Sequence, residues 1–216
     1  MLGFVEEIVL LLLDDSQGQV VELPVSAAHI VIAGAALMEL ALRNRIDTDV
    51  RTLIVVNPAP TGDDILDDAL AHLHELGGDL NIPASLYGIA VRAEGYRQKA
   101  LKRLVEHRVL RDQDGRFLWV SPTRQYPIID DREQQEVWAR LRQILLTDEI
   151  PDPRDVVLLC LVEASHLLGH VLSPEELKQT ETRIGQLSRL DLIGQAVHRA
   201  VADIRSTVKH ATSQVE

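Results

Sequence analysis

Aromatic residues are scarce in this 216-residue chain: two Phe, three Tyr and two Trp amount to 3%. A core must therefore be built from Leu, Ile, Val and Ala, which favours helices packed on helices. There is one cysteine, Cys160, which excludes a disulfide framework within the chain and a Cys-based metal site. Set in the run 156–161 (VVLLCL), it reads as a buried small hydrophobe and fits a reducing, cytosolic compartment. Long apolar runs are missing too. The longest, Ala27 to Met38, is interrupted by His29 and falls short of the roughly 20 residues that cross a bilayer. Any membrane contact is then expected to be peripheral. The opening Met1-Leu2-Gly3-Phe4-Val5-Glu6-Glu7 lacks the basic start and cleavage site of a signal peptide. Neither end carries a lipidation signal. Gly-x-Ser-x-Gly, the phosphate-loop pattern and Gly-x-Gly-x-x-Gly do not occur, which weighs against an enzyme. No repeat of 20–50 residues is visible.

What is present is an ordinary hydrophobic content, 46%, enough for one well-packed core, and a formal net charge of −11. Against that acidic background, Arg92 to Arg124 holds nine Lys/Arg and four Asp/Glu. Its balance of +5 leaves −16 for the rest of the chain. Such an island reads as a surface aimed at an anionic partner. It ends in Phe117-Leu118-Trp119-Val120, directly after Asp114-Gly115, so a basic helix leads into a hairpin carrying apolar groups. Basic plus apolar on one surface points to a membrane or a nucleic acid. Lys99, Lys102 and Arg103, at i, i+3 and i+4, are expected to share an outward helical face.

Apolar spacing and capping residues predict helices over 4–13, 25–45 (with Ser26 as cap), 65–76, 84–107, 131–146, 155–172, 174–190 and 192–211. Gly88 and Gly95 weaken the fourth of these, which reads as two helices at an angle. A turn is expected at 14–19, a loop at 77–83, and a strand at 52–56 pairing with 45–49. A hairpin of 109–111 with 116–120 turns at Asp112-Gln113-Asp114-Gly115. The fold class is mainly α: a single bundle-like domain over 1–216, with a protruding β-hairpin, a short extra strand pair and a frayed tail at 206–216.

Other constellations have plain structural readings. Glu163, His166 and His170 stand at i, i+3 and i+7, a spacing that could hold zinc, but no second ligand cluster accompanies them. Asp63, Asp64, Asp67 and Asp68 could bind a divalent cation, yet they open a helix, where Asp caps and meets the dipole favourably. Neither metal nor cofactor is expected.

At four places in order the chain resembles the Golgi phosphoprotein 3 family. They are Phe4-Val5-Glu6-Glu7-Ile8-Val9-Leu10-Leu11-Leu12; Leu37-Met38-Glu39-Leu40-Ala41-Leu42-Arg43-Asn44-Arg45-Ile46; the most specific, Ala59-Pro60-Thr61-Gly62-Asp63-Asp64-Ile65-Leu66-Asp67-Asp68-Ala69-Leu70; and, more loosely, Leu104-Val105-Glu106-His107-Arg108-Val109-Leu110. The resemblance implies a mostly helical domain with a protruding hairpin and no catalysis. It implies a cytoplasmic protein, peripherally membrane-associated, that binds phosphatidylinositol 4-phosphate and the cytoplasmic tails of membrane enzymes as an adaptor. Self-association as a homo-oligomer would run through the hairpin residues Phe117, Leu118 and Trp119. The family's lipid pocket uses one Trp and three Arg. Here Pro24 stands for the Trp, and Ala33 and Glu94 for two of the Arg, while Arg97 is retained and Arg92 lies close enough to substitute in part. A phosphate held by one Arg instead of three loses most of its charge-assisted hydrogen bonds. The motif begins at residue 4, so the arginine-rich extension of eukaryotic members, with its coat-protein contacts, is not expected; the chain reads as a short, stripped-down member, of prokaryotic type.

The expected function is anionic-phospholipid binding. Arg97 and Arg92 would meet the headgroup, Lys99, Lys102 and Arg103 would add attraction, and the hairpin would enter the interface. Two alternatives remain: a soluble scaffold for protein tails with the lipid pocket lost, and a winged-helix-like nucleic-acid binder. The net charge of −11 speaks against the last.

Overall fold

The computed structural model describes residues 2–13, 23–49, 52–77, 80–111 and 126–213. Two buried helices form its axis. The first, α1 (Phe4–Leu11), is buried at every position, including Glu6 and Glu7. The second, α2 (Val25–Leu42), is long and apolar enough to cross a membrane by length and composition, but 72% of it is buried inside the fold. It is the core helix of a helical domain. It opens on Pro24, which offers no side-chain cap; Ser26 lies inside the first turn and is exposed.

Around this axis stand α3 (Asp64–Leu76), α4 (Ile82–Ala90), α5 (Ala93–Glu106), α6 (Arg132–Leu146), α7 (Pro153–Ala164), α8 (Pro174–Leu187) and α9 (Leu192–Ser213). Helix α2 packs against α1, α3, α4, α5, α7 and α9, whereas α8 rests outside, on α6 and α7. Small residues set the closest approaches. A Cβ on Gly34 of α2 would stand 2.4 Å from Val197 Cγ2 of α9, and one on Gly194 of α9 would stand 2.7 Å from Cys160 Cβ of α7. Glycine at these two sites lets the helices pack closely around α9. Cys160 is buried there, and burial pushes its thiol up to about 12, as an inert core residue.

The expected mainly α architecture is observed, with several local differences. The strand pair is a three-stranded antiparallel sheet in the order β1 (Ile46–Thr48), β2 (Thr52–Val55), β3 (Leu80–Asn81). The third strand lies where a loop was expected. Two residues are too few for an alternating pattern to show. The 84–107 stretch is indeed two helices, but they part at Val91-Arg92 and not at either glycine. The helix expected over 155–172 stops at Ala164. His166 takes a left-handed conformation (φ 58°), and a 3-10 turn follows at Leu167–His170. The i, i+3, i+7 face of Glu163, His166 and His170 therefore does not form. Ser173 caps α8 as expected, with Pro174 at its first position and Glu176 closing a capping box. Leu110 pairs antiparallel with Ile128. The 14–19 turn and the hairpin segment bearing Phe117, Leu118 and Trp119 lie outside the described residues.

Candidate anion-binding surface

The first turn of α3 explains the acid-rich motif. Asp63 Oδ1 accepts from the N–H of Ile65 (2.9 Å) and of Leu66 (3.2 Å), capping the helix. Asp67 turns back on the preceding loop. It accepts from Thr61 N (2.5 Å), Thr61 Oγ1 (2.7 Å) and Gly62 N (3.2 Å). Gly62 has φ +84°, the left-handed conformation this turn requires. The remaining carboxylates reach across to α5. Asp68 accepts from Arg92 Nη1 through both oxygens (3.1 Å each) and from the Tyr96 hydroxyl (2.8 Å). Asp64 pairs with Lys99 Nζ (2.8 Å) and Arg103. Arg103 also grips Asp63 (2.8 Å) and the buried Glu6 (3.1 Å).

Arg92, Tyr96, Lys99 and Arg103 thus form one helical stripe, at i, i+4, i+7 and i+11, laid against α3. Charges follow the contacts. Burial works against ionised Asp63, but the Arg103 hydrogen bond and the two capping N–H groups outweigh it and hold its carboxyl below the ordinary range. Lys99 holds Asp64 down, while the hydrogen bonds that Arg103 donates to Asp63, Glu6 and Asp64 hold it firmly protonated. Burial and the Asp68 contact raise the Tyr96 phenol beyond its ordinary value, so it donates.

The same clamp reaches the start of the chain. Glu6 accepts from Gly3 N (2.8 Å), and Glu39 of α2 accepts from Phe4 N (2.8 Å), so two carboxylates meet the opening N–H groups of α1. Glu7 faces the other way, to Arg154 (2.9 Å) and Arg140 (3.2 Å), with the Arg154 guanidinium 4.1 Å from the Phe4 ring centroid. Burial raises the Glu7 carboxyl despite both arginines.

A different side of α5 faces α2. Arg97 Nη1 lies 3.4 Å from both oxygens of Glu94, and Gln98 Nε2 donates to Glu94 at 2.6 Å. His29 Nε2 of α2 is 3.7 Å from the same carboxylate. Near these residues in the sequence, three apolar side chains are exposed: Val25 (71%), one turn before His29; Val91 (86%), three residues before Glu94; and Tyr87 (47%), one turn before Val91 on α4.

The residues proposed from sequence therefore divide between two places. Arg92, Lys99 and Arg103 belong to the α3-facing stripe, and Arg97 sits apart, beside Glu94 and His29. Lys102 projects on its own, 78% exposed, with Glu106 3.7 Å away. Ala33 is fully buried within α2, and Pro24 opens that helix. His29, Val25, Tyr87 and Val91 were missed as site residues. The signal for His29 was a single polar side chain inside the apolar run 27–38, one turn before Ala33.

The family model described as Golgi phosphoprotein 3 (GPP34) matches residues 4–204. Among relatives, the vacuolar protein sorting-associated protein 74 of Eremothecium gossypii is 27% identical over 209 residues, a match that takes in 80% of this chain. The chain spans 62% of that relative's length.

Proposed function

The chain belongs to the Golgi phosphoprotein 3 family, and on that footing we propose that it is a non-enzymatic, cytoplasmic protein that docks peripherally on anionic membranes. The observation that carries this reading is the exposure of three apolar side chains, Val25, Tyr87 and Val91, which neighbour His29 and Glu94 in the sequence of α2, α4 and the α4–α5 junction. Two exposed valines and an exposed tyrosine, with Arg97 on the following helix, suit the boundary between headgroups and acyl chains, where a phenol sits at headgroup depth. Fully burying each valine is worth about 1.5–3 kcal/mol, and a cation beside an anionic surface adds about 1 kcal/mol. That sum gives reversible attachment.

Arg97 is the headgroup contact in this reading, phosphatidylinositol 4-phosphate the lipid suggested by kinship, and Lys102 an outlying attraction. Arg92, Lys99 and Arg103 act chiefly by holding α5 to α3, since each is already engaged by a carboxylate. That pairing also leaves α5 ill-suited to a phosphate backbone, which disfavours nucleic acid. The hairpin residues Phe117, Leu118 and Trp119 would supply further interface burial or the contact of a homo-oligomer, and membrane-enzyme tails are the protein partners in an adaptor role.

Sedimentation with liposomes tests the reading. The protein is expected to pellet with vesicles containing phosphatidylinositol 4-phosphate and not with neutral phosphatidylcholine, and Val91→Asp is expected to abolish pelleting. Equal binding by Val91→Asp, or no binding to any vesicle, would overturn it.

A further inference from the structure

We infer that the cleft between α7, α8 and α9 binds a small zwitterion with an apolar body, a free aliphatic amino acid. Helix α8 packs on α6, α7 and the turn at Leu167–His170, and it buries only Thr180 and Leu187. Between it and α9 lie two adjoining hollows, of about 450 Å³ and about 250 Å³, which share Glu163 and Gly185 as walls. Small-molecule sites are hollows of this order, mostly apolar, with a few convergent polar groups. The first hollow has an aliphatic lining of Leu168, Leu177 and Ile184. Gly169 and Gly185 widen it. A Cβ at either would meet nothing within 4 Å, so packing does not demand glycine there, as it does at Gly34 and Gly194.

The charges are sorted along the cleft. Glu163 stands where the two hollows meet, with Glu181 on the aliphatic side and the exposed Arg189 and Arg199 on the other. The Glu163 side chain is three-quarters buried, and His198 Nδ1 lies 2.9 Å from its Oε2. That nitrogen is enclosed by protein and makes no hydrogen bond; the Ser188 hydroxyl oxygen, in the second hollow, is enclosed and unpartnered too. Buried polar atoms without partners are costly and mark places where a ligand group belongs. An ammonium brings three donors to Glu163. A carboxylate accepts from the two guanidinium groups and from the Ser188 hydroxyl, and an aliphatic side chain fills the hollow beside Leu168, Leu177 and Ile184. A plain cation would leave the arginines unmatched, and a plain anion would be repelled by Glu163, so the sorted charges select a molecule that carries both. The site lies on other helices than Arg97, Val25, Tyr87 and Val91, and it does not rest on the membrane reading.

Isothermal titration calorimetry tests it. Titrated into the wild-type protein, L-leucine is expected to give a saturable heat. N-acetyl-L-leucine, which lacks the ammonium, and L-leucinamide, which lacks the carboxylate, are expected to bind roughly tenfold more weakly, as is free glycine, which lacks the side chain. Glu163→Gln is expected to weaken L-leucine roughly tenfold while leaving N-acetyl-L-leucine unchanged, a selective loss that damage to the fold would not give. Gly185→Leu fills the hollow from α8 and is expected to abolish binding with the melting temperature kept or raised, because leucine is the better helix former. Absence of a saturable heat from L-leucine, L-isoleucine and L-valine at millimolar concentration would overturn the site. So would equal affinity for L-leucine and its two blocked analogues, or undiminished binding by folded Gly185→Leu.

Discussion

On the α3-facing side of α5, Arg92, Tyr96, Lys99 and Arg103 meet Asp68, Asp64, Asp63 and Glu6 at 2.8–3.1 Å, with capping N–H groups sharing the load at Asp63. On the side facing α2, Arg97, Gln98 and His29 share one carboxylate at 2.6–3.7 Å, and His29 Nε2 bonds to nothing. The residue types are alike; the stoichiometry differs. Where carboxylates match donors in number and one of them is buried, the cations are consumed by the fold. Where donors outnumber carboxylates and the acid is half in solvent, attraction is left over for something else. A count of charge along the chain does not separate these cases, because it treats every lysine and arginine as available.

The largest test of that contrast is Arg103→Ala. It leaves Glu6 buried without its cation, a loss of about 3–5 kcal/mol for a fully buried pair and about 2–3 kcal/mol here, because Arg103 is a quarter exposed. An unfolding free energy in urea lowered by that amount, with vesicle binding per folded molecule retained, is the expected result. An unchanged midpoint would remove the clamp role. Acid provides the second test. Asp63, Asp64 and Asp67 titrate below their ordinary value of 3.8, so their stabilisation is complete above it and is lost as pH falls through the lowered native values. Glu7 runs the other way. Burial lifts it above 4.5, so its protonation on acidification favours the native state first. Stability measured by urea from pH 6 downward should therefore hold until about pH 4 and then fall, and the fall should be shallower in Arg103→Ala. Tyr96→Phe, which deletes one hydroxyl bonded to Asp68, is expected to cost about 1 kcal/mol by the same assay. The smallest stability effect belongs to Arg97→Ala, within about 0.5 kcal/mol, because its partner is exposed and distant. The same change should give a large loss of vesicle binding. If Arg97→Ala destabilised the fold as much as Arg103→Ala, the two faces would not differ in kind.

The helical architecture was legible because its signals are local. The apolar spacing of 65–76 gives α3 with its boundary one residue off, and Ser173-Pro174-Glu175-Glu176 announces the start of α8 by cap chemistry alone. The two-residue strand β3 and the break after Ala164 were not legible. The first is held by pairing with β2, and nothing in the 164–170 sequence demands a left-handed His166. The candidate site was harder still. Lys99 and Arg103 were expected to face outward together, and they do lie side by side, but the acids that take them come from residues 35 to 40 places earlier. The acidic cluster, read as the capped opening of a helix, and Arg92, Lys99 and Arg103, read as a binding face, are two halves of one contact. His29 entered the sequence reading only as the interruption of an apolar run, and its place near Glu94 depends on how α2 and α5 pack.

The adjacent glutamates of α1 carry a consequence for how the fold assembles. Glu6 is satisfied by a residue 97 positions away, and Glu7 by residues 133 and 147 positions away. Contacts this far apart in sequence close large loops, so they form later than the local turns of the helix itself. Until they form, α1 is an apolar helix carrying two acids that no arginine holds. Burying those carboxylates unpaired is costly, so the docking of α1 into the core is coupled to the arrival of α5, α6 and α7 with Arg103, Arg140 and Arg154.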